Sequence, residues 1–208
     1  MSGSADGRGL VIDHSGRVAR VGLGVGGGWW EDATEPSRRH LVDALAAADR
    51  LVRAAGLEPA DLDWLGWVTG PGSFTGLRVA AATAQALKLT RTDKPLRVAG
   101  VPATEALLAA EPDAVAALAV KRGEAWSAGP GMEPGLRPLE EVRARAGGRR
   151  VLADEPHGDA PAGVDLRVLF RLAAARVADG RCDRPEDLRP LYPREPEAVT
   201  IWERNQRR

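Results

Sequence analysis

Histidine and cysteine are scarce in this chain, three and one, so the spacing of its other candidate groups carries weight. Asp13 and Ser15 follow a short apolar run, Leu10-Val-Ile-Asp13, and Gly16 closes a turn behind them. A carboxylate at a strand end, beside a hydroxyl, can orient a metal-bound phosphate. The commoner use of an Asp in that position is to brace the turn itself. The second candidate is Gly70-Pro-Gly-Ser-Phe-Thr-Gly-Leu-Arg78. Here a glycine turn around Gly72 leads into a helix, with Ser73 or Thr75 as its cap. Free N–H groups converge at such a place, and Arg78 adds a full positive charge, so an anion can bind. The spacing matches neither the P-loop nor the dinucleotide fingerprint. A rigid turn that aims the helix therefore stands beside the anion reading.

The remaining candidates are weaker. His14, His40 and His157 have no three- or four-residue spacing between them, so no ready helical metal pair exists. Cys182 lies in the polar stretch Gly180-Arg-Cys-Asp-Arg184 with no adjacent helper. Ser73 has no Gly-x-Ser-x-Gly around it. The sequence thus assigns no catalytic residue and no metal ligand. The arginines toward the C-terminus, Arg189, Arg194, Arg204, Arg207 and Arg208, read as solvated, with contact to RNA phosphates as the alternative.

The elements that position these groups alternate between strand and helix patterns. Leu10–Asp13 reads as a strand, Arg17–Val25 as its antiparallel return, and Trp29–Asp32 as a third strand after the Gly26-Gly-Gly28 turn. Ser37–Ala55 reads as a helix ended by Gly56, with Leu41, Leu45, Ala48 and Val52 on one face. Trp64–Val68 reads as a buried strand, and Phe74–Thr90 as the helix behind the glycine turn. On that helix Gly76, Ala80 and Ala84 share a face on which another helix can approach closely. Leu77, Leu87 and Leu89 then anchor the opposite, core side. Ordinary packing within the chain competes with this partner-face reading. Leu96–Val101 and Ala114–Val120 are strands, with Ala103–Ala110 a helix between them. Lys121–Glu124 turns into a return strand at Ala125, and Gly129–Gly135 is loop-like. A short helix at Leu139–Ala146, a strand at Arg150–Ala153, a loop from Glu155 and a long helix at Asp165–Gly180 complete the pattern.

The 208 residues are 44% hydrophobic, enough for one large or two small domains. Lys+Arg and Asp+Glu are each 29, so no global charge drives the chain toward nucleic acid. One cysteine excludes an internal disulfide framework and fits a reducing cytoplasm. No apolar run reaches membrane-spanning length.

Gly70–Arg78 resembles the signature of the TsaB family, once grouped with glycopeptidases. Leu188-Arg-Pro-Leu-Tyr-Pro-Arg-Glu-Pro-Glu-Ala198 is similar to that family's C-terminal segment. Ile12-Asp13-His14-Ser15 resembles its Ile-Asp-Thr-Ser, with His14 as a departure. Lys121–Trp126 resembles its Arg-Arg-Gly-Glu-Val-Tyr hairpin, but without an acid at Leu118–Val120. The resemblance implies an α/β chain with the actin-like ATPase (ribonuclease H-like) fold in two related halves, 1–101 and 102–208. It implies a non-catalytic partner of the metal-bearing TsaD, recruiting the ATPase TsaE, in threonylcarbamoyl transfer to the tRNA adenosine beside the anticodon. On this reading the chain touches tRNA only through the complex, has no cofactor of its own, and meets ATP or ADP only there. Alone it forms a homodimer. Its partner face comprises Leu41, Leu45, Ala48, Val52, Gly76, Ala80 and Ala84, so Ala80→Leu or Ala84→Glu is expected to weaken association and leave the monomer folded. The alternative is an actin-like ATPase or phosphotransferase using Asp13, Ser15 and the Gly70–Gly76 loop, with phosphate contacts from Gly72, Ser73, Thr75 and Arg78. The old peptidase label ranks last.

Overall fold

Gly9–Asp13 forms β1, and all five residues are buried. A strand with no solvent face needs cover on both sides of its sheet. The chain returns antiparallel as β2 (Arg20–Val25) and again as β3 (Gly28–Ala33). Then β4 (Trp64–Gly70) and β5 (Arg97–Pro102) join in parallel, completing the order β3-β2-β1-β4-β5. The computed structural model describes residues 7–34, 40–91, 94–154 and 157–194, without the side chains of residues 40–43 and 161. Ser37, the expected helix start, lies outside that set.

The helices α1 (His40–Ala54) and α2 (Phe74–Leu89) cover one face of this sheet. Leu10, Ile12, Val21, Leu23, Leu65, Trp67 and Val98 point into that layer. The intervening residues Val11, Trp64, Val68, Ala99 and Val101 point the other way, as the two-residue period of a strand requires. There they meet α5 (Leu166–Ala178), capped by Asp165, whose Oδ1 accepts from the N–H groups of Arg167 and Val168. Close approach of α5 depends on absent side chains. A Cβ on Gly24 would lie 2.4 Å from the Phe170 ring, and one on Gly66 would lie 2.6 Å from Ala173 Cβ.

A second sheet follows the short α3 (Ala103–Ala110). It comprises β6 (Val115–Lys121), β7 (Glu124–Gly129), β8 (Met132–Pro138), β9 (Val151–Ala153) and β10 (Ala160–Pro161), in the order β10-β9-β6-β7-β8. Its outer face is covered by α4 (Leu139–Ala146). Its inner face shares one core with α3 and α5. The strands divide between residues 102 and 115, whereas α5 crosses back to the first sheet. β8 corrects the loop expected at Gly129–Gly135. It is an edge strand, where Pro134 is tolerated because one side needs no partner. Pro102 takes the N-cap position of α3. Among the described residues no helix is long and apolar enough to cross a membrane.

The segment after α5 lies along β5. The Asp183 N–H donates to the Val98 carbonyl at 2.7 Å. Its carboxylate accepts from Gly100 N at 2.7 Å and from the indole N–H of Trp67 at 3.2 Å. This covers an edge that would otherwise offer unpaired backbone groups.

Candidate functional site

Antiparallel pairing sets Asp13 opposite Arg20. One carboxylate oxygen accepts from the Arg20 guanidinium at 2.7 Å, and the other accepts from Ser15 N at 2.9 Å and Ser15 Oγ at 2.5 Å. The same guanidinium donates to the Val164 carbonyl, joining β2 to the entry of α5. Asp13 is buried, and both its oxygens are engaged within the chain. The residue braces the turn and neutralises Arg20.

The glycine turn closes onto this loop. Ser73 N donates to the Ser15 carbonyl at 2.7 Å, and Ser73 Oγ accepts from Gly76 N at 3.2 Å as the helix cap. A Cβ on Gly72 would sit 2.5 Å from the Ser15 carbonyl oxygen, and one on Gly76 would sit 2.0 Å from that of His14. The backbone of residues 14–15 therefore packs directly against the turn and the start of α2. Asp13, Ser15 and Ser73, expected to contact phosphate, are bonded within the chain here, and Gly72 lies against the Ser15 carbonyl. Thr75 and Arg78 face outward, and Arg78 lies over the Phe74 ring, 5.4 Å from its centroid. The peptide bond between Gly70 and Pro71 is cis.

The two separated sequence motifs meet here. Leu191 N donates to the Thr69 carbonyl at 2.7 Å, and Gly70 packs on the Leu191 carbonyl. The Tyr192 ring lies 5.1 Å from that of Phe74. Burial pushes the Tyr192 hydroxyl above its ordinary pKa, and the charge of Arg78 works against that shift. Farther along, Arg194 donates to the carbonyls of Ala119 (2.8 Å), Lys121 (3.2 Å) and Glu124 (2.9 Å). It thereby ties the tail to the β6–β7 turn. The rest of the tail motif lies outside the described residues.

The partner face needs a correction. Ala80 and Ala84 are 0% exposed, and Gly76 and Val52 are also buried, all inside this chain. The small residues face inward because they let α2 lie close to its own sheet and to α1. Besides Phe74, Thr75, Arg78 and Gln85, α2 presents outward Ala82, Ala86 and Leu89, spaced four and three residues apart, with Leu89 60% exposed. Leu89 was expected to anchor the core. On α1, Leu45 is exposed and Ala48 half-buried, while the Leu41 side chain lies outside the described residues. A narrow apolar crevice runs between the helices, lined by Ala44, Leu45, Ala48, Thr83 and Leu87. Helical periodicity identified the faces of α2 but not which one meets the sheet. Among the described residues no three His, Cys, Asp or Glu side chains gather as metal ligands do.

Residues 34–120 match the family described as TsaD: tRNA N6-adenosine threonylcarbamoyltransferase. No curated protein matches the chain in sequence. Among solved structures, YeaZ from Pseudomonas aeruginosa is similar at 20% identity with a TM-score of 0.71, over 89% of this chain and 99% of that one. A second structure, of an uncharacterized protein with similarity to peptidase YEAZ from Pseudomonas aeruginosa, gives 21% identity and a TM-score of 0.72. It covers 90% of this chain and all of its own. At such identity these structures establish the fold, which is the expected actin-like α/β fold.

Proposed function

We propose, from the match of residues 34–120 to the TsaD family and from the fold, that the chain is a non-catalytic TsaB-like partner of a TsaD-like enzyme. In this role it supports threonylcarbamoyl transfer to the tRNA adenosine beside the anticodon, with a TsaE-like ATPase joining the pair. It brings no cofactor of its own, and ATP or ADP enters only with the complex. It works in the cytoplasm, and tRNA is reached through the partner. Alone, the same face pairs two copies about a two-fold axis.

The observation that carries this reading is the extent of the family match, which encloses both α1 and α2. Those two helices keep an outward apolar surface at Leu45, Ala82, Ala86 and Leu89 after packing on their own sheet. A matching helix pair would complete a four-helix contact. The Asp13–Arg20 pair and the closed glycine turn weigh against an ATPase or phosphotransferase in this chain.

The test is a titration of the purified chain against its cognate TsaD-like enzyme, with tRNA modification assayed in parallel. Leu89→Glu and Leu45→Glu should abolish association and leave the unfolding midpoint close to wild type, as exposed substitutions do. Ala80→Leu should instead lower that midpoint, because a 0% exposed site has no room for the larger side chain. Full association by both Glu variants would remove α1 and α2 as the partner face. Full modification by this chain alone would remove the non-catalytic role.

A further inference from the structure

A groove of about 580 Å³ lies between the β2–β3 turn and α5, on the sheet face opposite α1 and α2. Trp29 and Phe170 wall it, with ring centroids 5.5 Å apart and planes at 86°. Arg167 and Arg171, four residues apart on α5, project to the same side. Their situation differs from that of Arg176 on the same helix, which is bonded to the Gly100 carbonyl and the Glu105 carboxylate. Among the described residues, neither Arg167 nor Arg171 has a carboxylate at ion-pairing distance. The single acid on the lining, Asp165, has an oxygen committed to the cap of α5.

Arg167 is held by its position over the Trp29 ring, 5.0 Å from the centroid. A guanidinium stacked on a ring keeps its N–H donors in its own plane, free for another acceptor. Access is open at the turn, where a Cβ on Gly26 or Gly27 would meet nothing within 4 Å. The volume falls within the range of about 300–1,000 Å³ usual for small-molecule sites. Two unneutralised guanidinium forks suit a phosphate, which has oxygens for both, better than a carboxylate, which fills one.

We propose that this groove binds a nucleoside phosphate, with the phosphate on Arg167 and Arg171 and the base against the Trp29–Phe170 wall. This does not rest on the partner role proposed above. Calorimetric titration at low salt would compare AMP, adenosine, inorganic phosphate and a short single-stranded oligoadenylate. AMP, the oligoadenylate or both should bind saturably, with adenosine and phosphate each weaker than the tighter of the two. Arg171→Gln and Arg167→Gln should each weaken that binding about tenfold or more, and added salt should weaken it further. Equal binding of AMP and the oligoadenylate identifies a free nucleotide as the ligand, and binding of the oligoadenylate alone identifies a nucleotide within a strand. No saturable binding of either, binding that both Gln variants leave unchanged, or adenosine binding as tightly as the tighter of AMP and the oligoadenylate would overturn the proposal.

Discussion

Replacing Gly76 with Ala gives the sharpest test of how the glycine turn is built. Gly76 lies in the first turn of α2, where Ala would ordinarily stabilise the helix by about 0.5–1 kcal/mol. The tertiary structure reverses that sign. The added Cβ would lie 2.0 Å from the His14 carbonyl oxygen, a backbone atom that no rotamer change can move. Ordinary contact begins at 3.4 Å, so residues 14–15 and the start of α2 must separate by about 1.4 Å. That displacement would break the 2.7 Å bond from Ser73 N to the Ser15 carbonyl. Overpacking costs about 1–3 kcal/mol and the lost hydrogen bond about 1 kcal/mol. With the helical gain subtracted, the net loss is about 2 kcal/mol, or roughly 4–8 °C in Tm for a chain of this size. Urea and thermal unfolding read it directly. Gly16→Ala is the control, since its nearest neighbour would be 3.8 Å away, and it should change stability by less than about 0.5 kcal/mol. A Gly76→Ala protein as stable as wild type, or more stable, would refute the close docking of this turn on β1.

Two further outcomes follow from buried or bridging carboxylates. Asp183→Ala leaves Gly100 N and the Trp67 indole N–H without their acceptor, so it should cost about 2–4 kcal/mol in urea unfolding. An unchanged midpoint would show that this strap does not hold β5. Asp63 is subject to burial, which raises its pKa, but bonds from Arg8 and Lys94 outweigh that effect and hold the carboxyl well below the usual carboxylate range. The folded state therefore keeps Asp63 ionised where the unfolded chain, with a pKa of roughly 3.9, has begun to take up a proton. Its contribution is complete above about pH 4–5 and declines as pH falls below that. Asp63→Asn should flatten this part of the acid limb and cost on the order of 1 kcal/mol near neutral pH. An identical acid limb in the variant would count against the assignment.

Local order was legible wherever a pattern acts through neighbouring residues. Trp64–Val68 is uninterrupted and apolar, and it is buried in β4. Ser73 caps α2 because its side chain reaches the N–H group of Gly76, three residues ahead. The resemblance carried by Gly70–Arg78 and Leu188–Ala198 pointed to the fold that the comparisons establish. Other features depended on what faces a residue from elsewhere in the chain. The Pro134-Gly135 pair argues for a loop until an edge position supplies β8 with a single partner. Asp13 and Gly72 fit an anion site until the Arg20 guanidinium and the Ser15 backbone take their places. The period of α2 groups Gly76 with Ala80 and Ala84 whatever the chain does around them. Burial of that face comes from the sheet and α1, because small side chains let backbones approach and large ones hold them apart. Periodicity within a helix is a property of its own residues, whereas the choice of inward face is settled by contacts that form only when distant segments come together.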